Sequence, residues 1–65
     1  MINFRNKFAQ KIYKYIYIHD GETILLKNMA RDTGICDKTC RKYVKWFERR
    51  GLIKKTGKTY DILPI

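Results

Sequence analysis

The segment from Asp37 to Arg50 constrains the fold more than any other part of this 65-residue chain. At about 100° per residue, its apolar side chains gather on one side of a helix and most of its basic side chains on the other. The apolar set is Cys40, Val44 and Phe47. The basic set is Lys38, Lys42, Lys45 and Arg49. The pattern predicts a helix over about 37–50 with one buried face and one cationic face.

The residues before this segment predict two further helices. The first covers about 3–19, ends before Asp20 and Gly21, and has one apolar stripe at helical spacing. That stripe is Phe8, Ile12, Tyr15 and Ile16. The second covers about 26–33, ends at Gly34, and has Leu26, Met29 and Ala30 at helical spacing. Residues 22–25 between them favour a short strand.

The residues after Gly51 predict a β-hairpin over about 52–63. Two strand-like stretches flank Thr56 and Gly57, and glycine allows the positive φ that tight hairpin turns require. The predicted order is helix, short strand, helix, helix and hairpin. No linker or repeat divides the chain, so residues 1–65 are expected to form one mainly α-helical domain.

The charge balance indicates a polyanionic partner. Fifteen Lys and Arg residues against six Asp and Glu residues leave a formal net charge of +9. Nucleic acid is the first candidate and an anionic membrane surface the rival. No apolar run approaches the roughly 18 residues that span a bilayer, and the N-terminus has no signal-peptide pattern. We therefore expect an intracellular, cytoplasmic protein with no membrane association.

Two stretches resemble the winged helix-turn-helix family of DNA-binding domains. Residues 26–35 resemble its second helix and turn, with Ala30 in the helix and Gly34 in the turn. Residues 36–53 resemble its recognition helix, which runs through Arg50-Gly51-Leu52-Ile53 into a hairpin. The resemblance covers nearly the whole chain and implies three helices, a short strand and a C-terminal β-hairpin wing. The family often has Ser or Thr caps where this chain has Leu25 and Cys36, which are poor hydrogen-bonding caps.

The basic residues of the second half are the candidate DNA ligands. Solvated helix faces normally interleave carboxylates with cations, and the stripe of the third helix lacks them. In the docking that the resemblance implies, the N-terminal part of the third helix enters the major groove. The candidates for base edges are then Lys38, Thr39, Arg41 and Lys42. The candidates for phosphates are Lys45 and Arg49, with Lys54, Lys55 and Lys58 of the wing on the backbone or minor groove.

Three large aromatic side chains lie outside the predicted apolar stripes. They are Tyr13, Tyr17 and Trp46. They either cover gaps between the first helix and the hairpin wing of their own chain or form a homodimer interface. The sequence leaves both alternatives open.

No residue pattern indicates a cofactor, a small-molecule ligand or a catalytic site. Cys40 is expected in the core, and a metal or redox switch of Cys36, Cys40 and His19 would lack a fourth ligand. The chain has one His, no Gly-rich phosphate loop and no plausible carboxylate pair, so we do not expect an enzyme.

These observations predict a sequence-specific double-stranded DNA-binding protein that regulates transcription, as a monomer or as a homodimer. The alternative is a winged-helix module that binds another protein, because the fold serves both uses. A third alternative, binding of left-handed duplexes, ranks low. The Asn and Tyr of that subfamily are replaced here by Arg41 and Lys45.

Overall fold

The computed structural model describes residues 4–64, which form three helices and a three-stranded antiparallel sheet. The helices are α1 (Lys7–Ile18), α2 (Leu26–Thr33) and α3 (Asp37–Arg49). The strands are β1 (Glu22–Thr23), β2 (Ile53–Thr56) and β3 (Thr59–Ile62). The predicted element order is confirmed. In the sheet, β3 lies between β1 and β2.

Helix α1 begins later than predicted because Asn6 caps it. The Asn6 side chain accepts hydrogen bonds from the backbone N–H groups of Phe8 and Ala9, at 2.8 Å and 3.2 Å. Such a cap stabilises a helix by about 1 kcal/mol. Of the predicted helix over 3–19, residue 3 lies outside the described residues and residues 4–6 are not helical.

The second and third helices are joined by a short turn that needs a glycine. Gly34 follows α2 with φ +74°, in the left-handed region, and its N–H donates to the Ala30 carbonyl. The bounds predicted for α2 are confirmed, and α3 ends one residue earlier than predicted. Neither Leu25 nor Cys36 makes a side-chain capping hydrogen bond, as their residue types predict.

The hairpin turn lies one residue later than predicted. Thr56 pairs with Thr59 in the strand ladder, so the two loop residues are Gly57 and Lys58 rather than Thr56 and Gly57. Gly57 has φ +61° at the first loop position, which suits a type II′ turn. Strand β1 is shorter than predicted and pairs with β3 through Glu22 and Thr23.

The core lies where the inward faces of the three helices meet the sheet. The predicted members Ile12, Ile16, Met29, Cys40 and Phe47 are completely buried. Val44 is also buried, whereas Leu26, Ala30 and Tyr15 are partly buried at the edge of the core.

Two predictions about the core face of α1 were wrong. Phe8 is 52% exposed, while Tyr13, which was placed outside the core, is only 1% exposed. The cause is Phe4, whose ring packs 5.3 Å from the Tyr13 ring and 5.3 Å from the Phe47 ring. These contacts bring the Tyr13 side of α1 against α3 and turn Phe8 toward solvent.

No helix within residues 4–64 is long and apolar enough to cross a membrane.

Candidate nucleic-acid interface

The outward side of α3 carries four exposed basic side chains, which we call the cationic face. They are Lys38, Lys42, Lys45 and Arg49. They lie there because Cys40, Val44 and Phe47 hold the opposite side of the helix in the core. The amphipathic pattern thus presents the cations to solvent.

The charges of the cationic face are not neutralised within the described part of the chain. The ion pair found among residues 4–64 is Arg31–Asp32, and the one further contact of this kind joins His19 Nδ1 to a Glu22 carboxylate oxygen, each 3.3 Å long. The two carboxylates of α3, Asp37 and Glu48, lie about 100° around the helix from the centre of the face. An approaching anion therefore meets cations that have no ion-paired partner among the described residues.

Arg41 and Thr39 stand at the edges of this face. Arg41 is exposed and lies about 70° from its centre, between the cations and Glu48. Thr39 is half-buried, and its hydroxyl lies 3.1 Å from the Cys36 sulfur. Of these two candidate base contacts, Arg41 has the freer side chain.

The two cysteines have opposite environments. The contact with the Thr39 hydroxyl, together with backbone N–H groups at the start of α3, lowers the pKa of the exposed Cys36 thiol. Burial raises the pKa of the Cys40 thiol, which lies 3.5 Å from the Ile35 carbonyl oxygen. Cys40 is therefore a core residue, as predicted. Within residues 4–64, no group of three His, Cys, Asp or Glu side chains is placed to hold a metal ion.

A groove of about 360 Å³ lies along the side of the cationic face that adjoins Tyr43 and Trp46. Its lining residues are Lys42, Tyr43, Lys45, Trp46 and Arg49. The aromatic rings are half-buried and the cations exposed, so the groove has an aromatic floor and a basic rim. We call it the α3 groove.

The floor of the α3 groove is held in place from the core side. The Trp46 ring lies 5.5 Å from the Phe47 ring and 5.9 Å from the Phe4 ring. The Arg50 guanidinium lies 4.8 Å from the centre of the Trp46 ring, at cation–π distance. Sequence reasoning missed Tyr43 and Arg50. The i to i+4 spacing of Trp46 and Arg50 was a signal for their contact.

The three lysines of the hairpin are not brought together on one surface. Lys54 and Lys55 are consecutive in β2, so their side chains point to opposite faces of the sheet. Lys54 lies opposite Asp61 in the ladder, and the Lys55 ammonium lies 5.7 Å from the Tyr60 ring centre. Lys58 is in the turn. At most one of Lys54 and Lys55 can face the same ligand surface as Lys58.

The three candidate dimer residues have different positions. Tyr13 is buried within its own chain, and Trp46 packs against the core while lining the α3 groove. Tyr17 is 46% exposed, with its ring 6.3 Å from the Tyr13 ring. The three residues belong to an aromatic cluster inside one chain, and only Tyr17 extends well beyond it.

Comparison of the chain with protein-family models, with curated proteins and with solved structures finds no match.

Proposed function

We propose that this protein is a winged-helix DNA-binding domain that binds double-stranded DNA and regulates transcription. The observation that carries the proposal is the cationic face of α3, four exposed basic side chains without an ion-paired partner within residues 4–64. An α-helix fits the major groove of DNA, where its basic side chains contact base edges and phosphates. The net charge of +9 supplies long-range attraction to the same ligand.

The layout of the elements supports this docking. The turn through Gly34 leaves α2 packed behind α3, so the outward side of α3 is free of other elements. Strand β2 follows α3 directly, and the hairpin extends from that end of the helix. In the proposed complex, Lys38, Arg41 and Lys42 reach base edges, Lys45 and Arg49 contact phosphates, and the hairpin lies on the backbone or in the minor groove.

A second candidate function rests on α1. Tyr17 is 46% exposed and its neighbour Ile18 is 62% exposed, and exposed apolar side chains that lie together can bind another protein. This observation favours a module that binds another protein. The cationic face favours DNA, and we rank the DNA function first because no carboxylate of residues 4–64 forms an ion pair with that face.

The proposal is tested by titrating a fluorescently labelled random-sequence duplex with the protein at several salt concentrations. Each phosphate contact releases condensed counterions, so binding should weaken steeply with salt. For about six contacts, the slope of log affinity against log salt should be near −5. A slope near zero, or no binding at low salt, would remove the DNA function and leave the protein-binding alternative.

A further inference from the structure

The α3 groove combines two chemical features that seldom coincide on a plain phosphate-binding surface. Lys42, Lys45 and Arg49 form a basic rim, while Tyr43 and Trp46 form an aromatic floor. The Lys42 ammonium lies 5.8 Å from the Tyr43 ring centre, so the charge borders the floor directly. No carboxylate from the described part of the chain lines the groove. Contact with phosphates alone requires the cations but gains little from half-buried aromatic rings.

A nucleotide has both complementary features. Its phosphate is anionic, and its base is flat, with a π-face that stacks on aromatic side chains. The groove volume of about 360 Å³ lies at the lower end of the range for small-ligand sites, about 300–1,000 Å³. The groove is therefore large enough for one nucleotide unit.

Whether a base is paired decides whether its flat face can stack in the α3 groove. In an intact duplex, each base is stacked between its neighbours and its face is not available to the protein. An unpaired nucleotide exposes that face while its phosphate remains part of the strand. The aromatic floor is held from the core side by Phe4 and Phe47. The Arg50 guanidinium lies 4.8 Å from the Trp46 ring centre, so an arriving base takes its place on that ring.

We infer that the α3 groove is a subsite for one unpaired nucleotide of a DNA strand, with its phosphate at the basic rim and its base against the aromatic floor. The inference rests on the proposed function, because the rest of the DNA occupies the same outward side of α3. It extends that function by giving the protein a preference for duplexes that contain an unpaired nucleotide.

Trp46 makes the subsite directly observable, since it is the only tryptophan of the chain. The experiment uses a duplex with one unpaired thymidine, the same duplex fully paired, and free thymidine monophosphate. Binding is followed by anisotropy of a label on the DNA and by the fluorescence of Trp46. We expect the duplex with the unpaired thymidine to bind about tenfold more tightly than the paired duplex and to quench Trp46. Free thymidine monophosphate at the same concentration should neither bind the protein tightly nor quench Trp46.

Two variants separate the groove from general charge. Trp46→Leu keeps an apolar side chain against Phe47 and removes the stacking surface, so the preference ratio should fall to about one. Lys58→Gln removes a cation outside the groove, so it should weaken both duplexes alike and leave the ratio unchanged. Circular dichroism checks that both variants are folded. If Trp46→Leu does not fold, the quenching of Trp46 in the wild-type protein by each duplex still tests the subsite.

The outcomes distinguish this inference from the proposed function. Equal binding of both duplexes without quenching would overturn the subsite and leave DNA binding intact. Binding of neither duplex would overturn both. Quenching by thymidine monophosphate without any preference between the duplexes would show a site for free nucleotides and would overturn the strand assignment.

Discussion

Helices α1 and α3 have nearly the same length and the same net charge, yet their exposed surfaces differ. They contain 12 and 13 residues. Helix α1 has three basic residues and no acidic ones, net +3, while α3 has five basic and two acidic residues, also net +3. Charge alone therefore does not identify the surface that binds a polyanion.

The two helices differ in what accompanies the cations. On α1, Lys11 and Lys14 lie beside Ile18, which is 62% exposed. On α3, the carboxylates lie to one side of the cationic face and the aromatic rings are recessed into the groove. The arrangement on α3 suits DNA, whereas α1 mixes apolar and basic side chains and serves mainly to complete the core.

The largest expected effect is a loss of folding stability when a side chain on the inward side of α1 is removed. Tyr13 is 1% exposed and contacts the rings of Phe4 and Phe47. Tyr13→Ala should lower the free energy of unfolding by about 3–5 kcal/mol, because it leaves a cavity at the contact with α3. Urea denaturation measures this change. Tyr17→Ala, at a side chain that is 46% exposed, should cost under about 1 kcal/mol. Equal costs would contradict the division of α1 into a core side and a solvent side.

A smaller effect, on DNA binding, should distinguish the contacts that α3 makes from those of the hairpin. Arg41→Ala should reduce discrimination between sequences by about 1–3 kcal/mol at one base position, because a base contact is lost. Lys55→Ala should weaken binding to all sequences alike and reduce the salt slope by about 1. Selection of bound duplexes from a random pool, performed with each variant, measures both. If Arg41→Ala and Lys55→Ala change the preference between DNA sequences equally, α3 is not the element that contacts the base edges.

The smallest effect concerns the start of α3. The contact with Thr39 lowers the pKa of the exposed Cys36 thiol, whereas burial raises the pKa of Cys40. Near pH 7–8, a lower pKa increases the thiolate fraction, so iodoacetamide should alkylate Cys36 well before Cys40. Thr39→Val should slow the alkylation of Cys36 several-fold. Mass spectrometry follows the reaction, with Cys36→Ser as the control that removes the fast site. An unchanged rate in Thr39→Val would show that the hydroxyl does not affect the thiol.

Much of the fold could be predicted from periodicity and turn residues. Helix α3 was predictable because its apolar and basic residues separate cleanly around one helix axis. The bounds of α2 followed from Gly34, which can take the left-handed conformation that ends the helix. The hairpin followed from Gly57, although its exact loop residues depended on the pairing of Thr56 with Thr59.

The core side of α1 could not be predicted because it depends on a residue outside the helix. The helix offers aromatic or aliphatic side chains around most of its circumference, so periodicity alone did not distinguish Phe8 from Tyr13. The tertiary contact of Phe4 with Tyr13 and Phe47 decided between them. The α3 groove was missed for a similar reason. Its floor requires Trp46 to be held in place by Phe4, Phe47 and Arg50, and the contact with Phe4 joins distant parts of the chain.

The central claim, that α3 rather than α1 meets the DNA, is tested most directly by two charge-matched variants. Lys45→Gln/Arg49→Gln and Lys11→Gln/Lys14→Gln each remove two exposed basic side chains from one helix. The measurement is the salt dependence of binding to a random-sequence duplex. We expect the α3 variant to lose about two phosphate contacts, with a slope reduced from near −5 to near −3 and roughly 50-fold weaker binding at about 0.1 M salt. The α1 variant should keep a slope near −5. Equal reductions in the two variants would show that DNA responds only to overall charge and would contradict the assignment of the interface to α3.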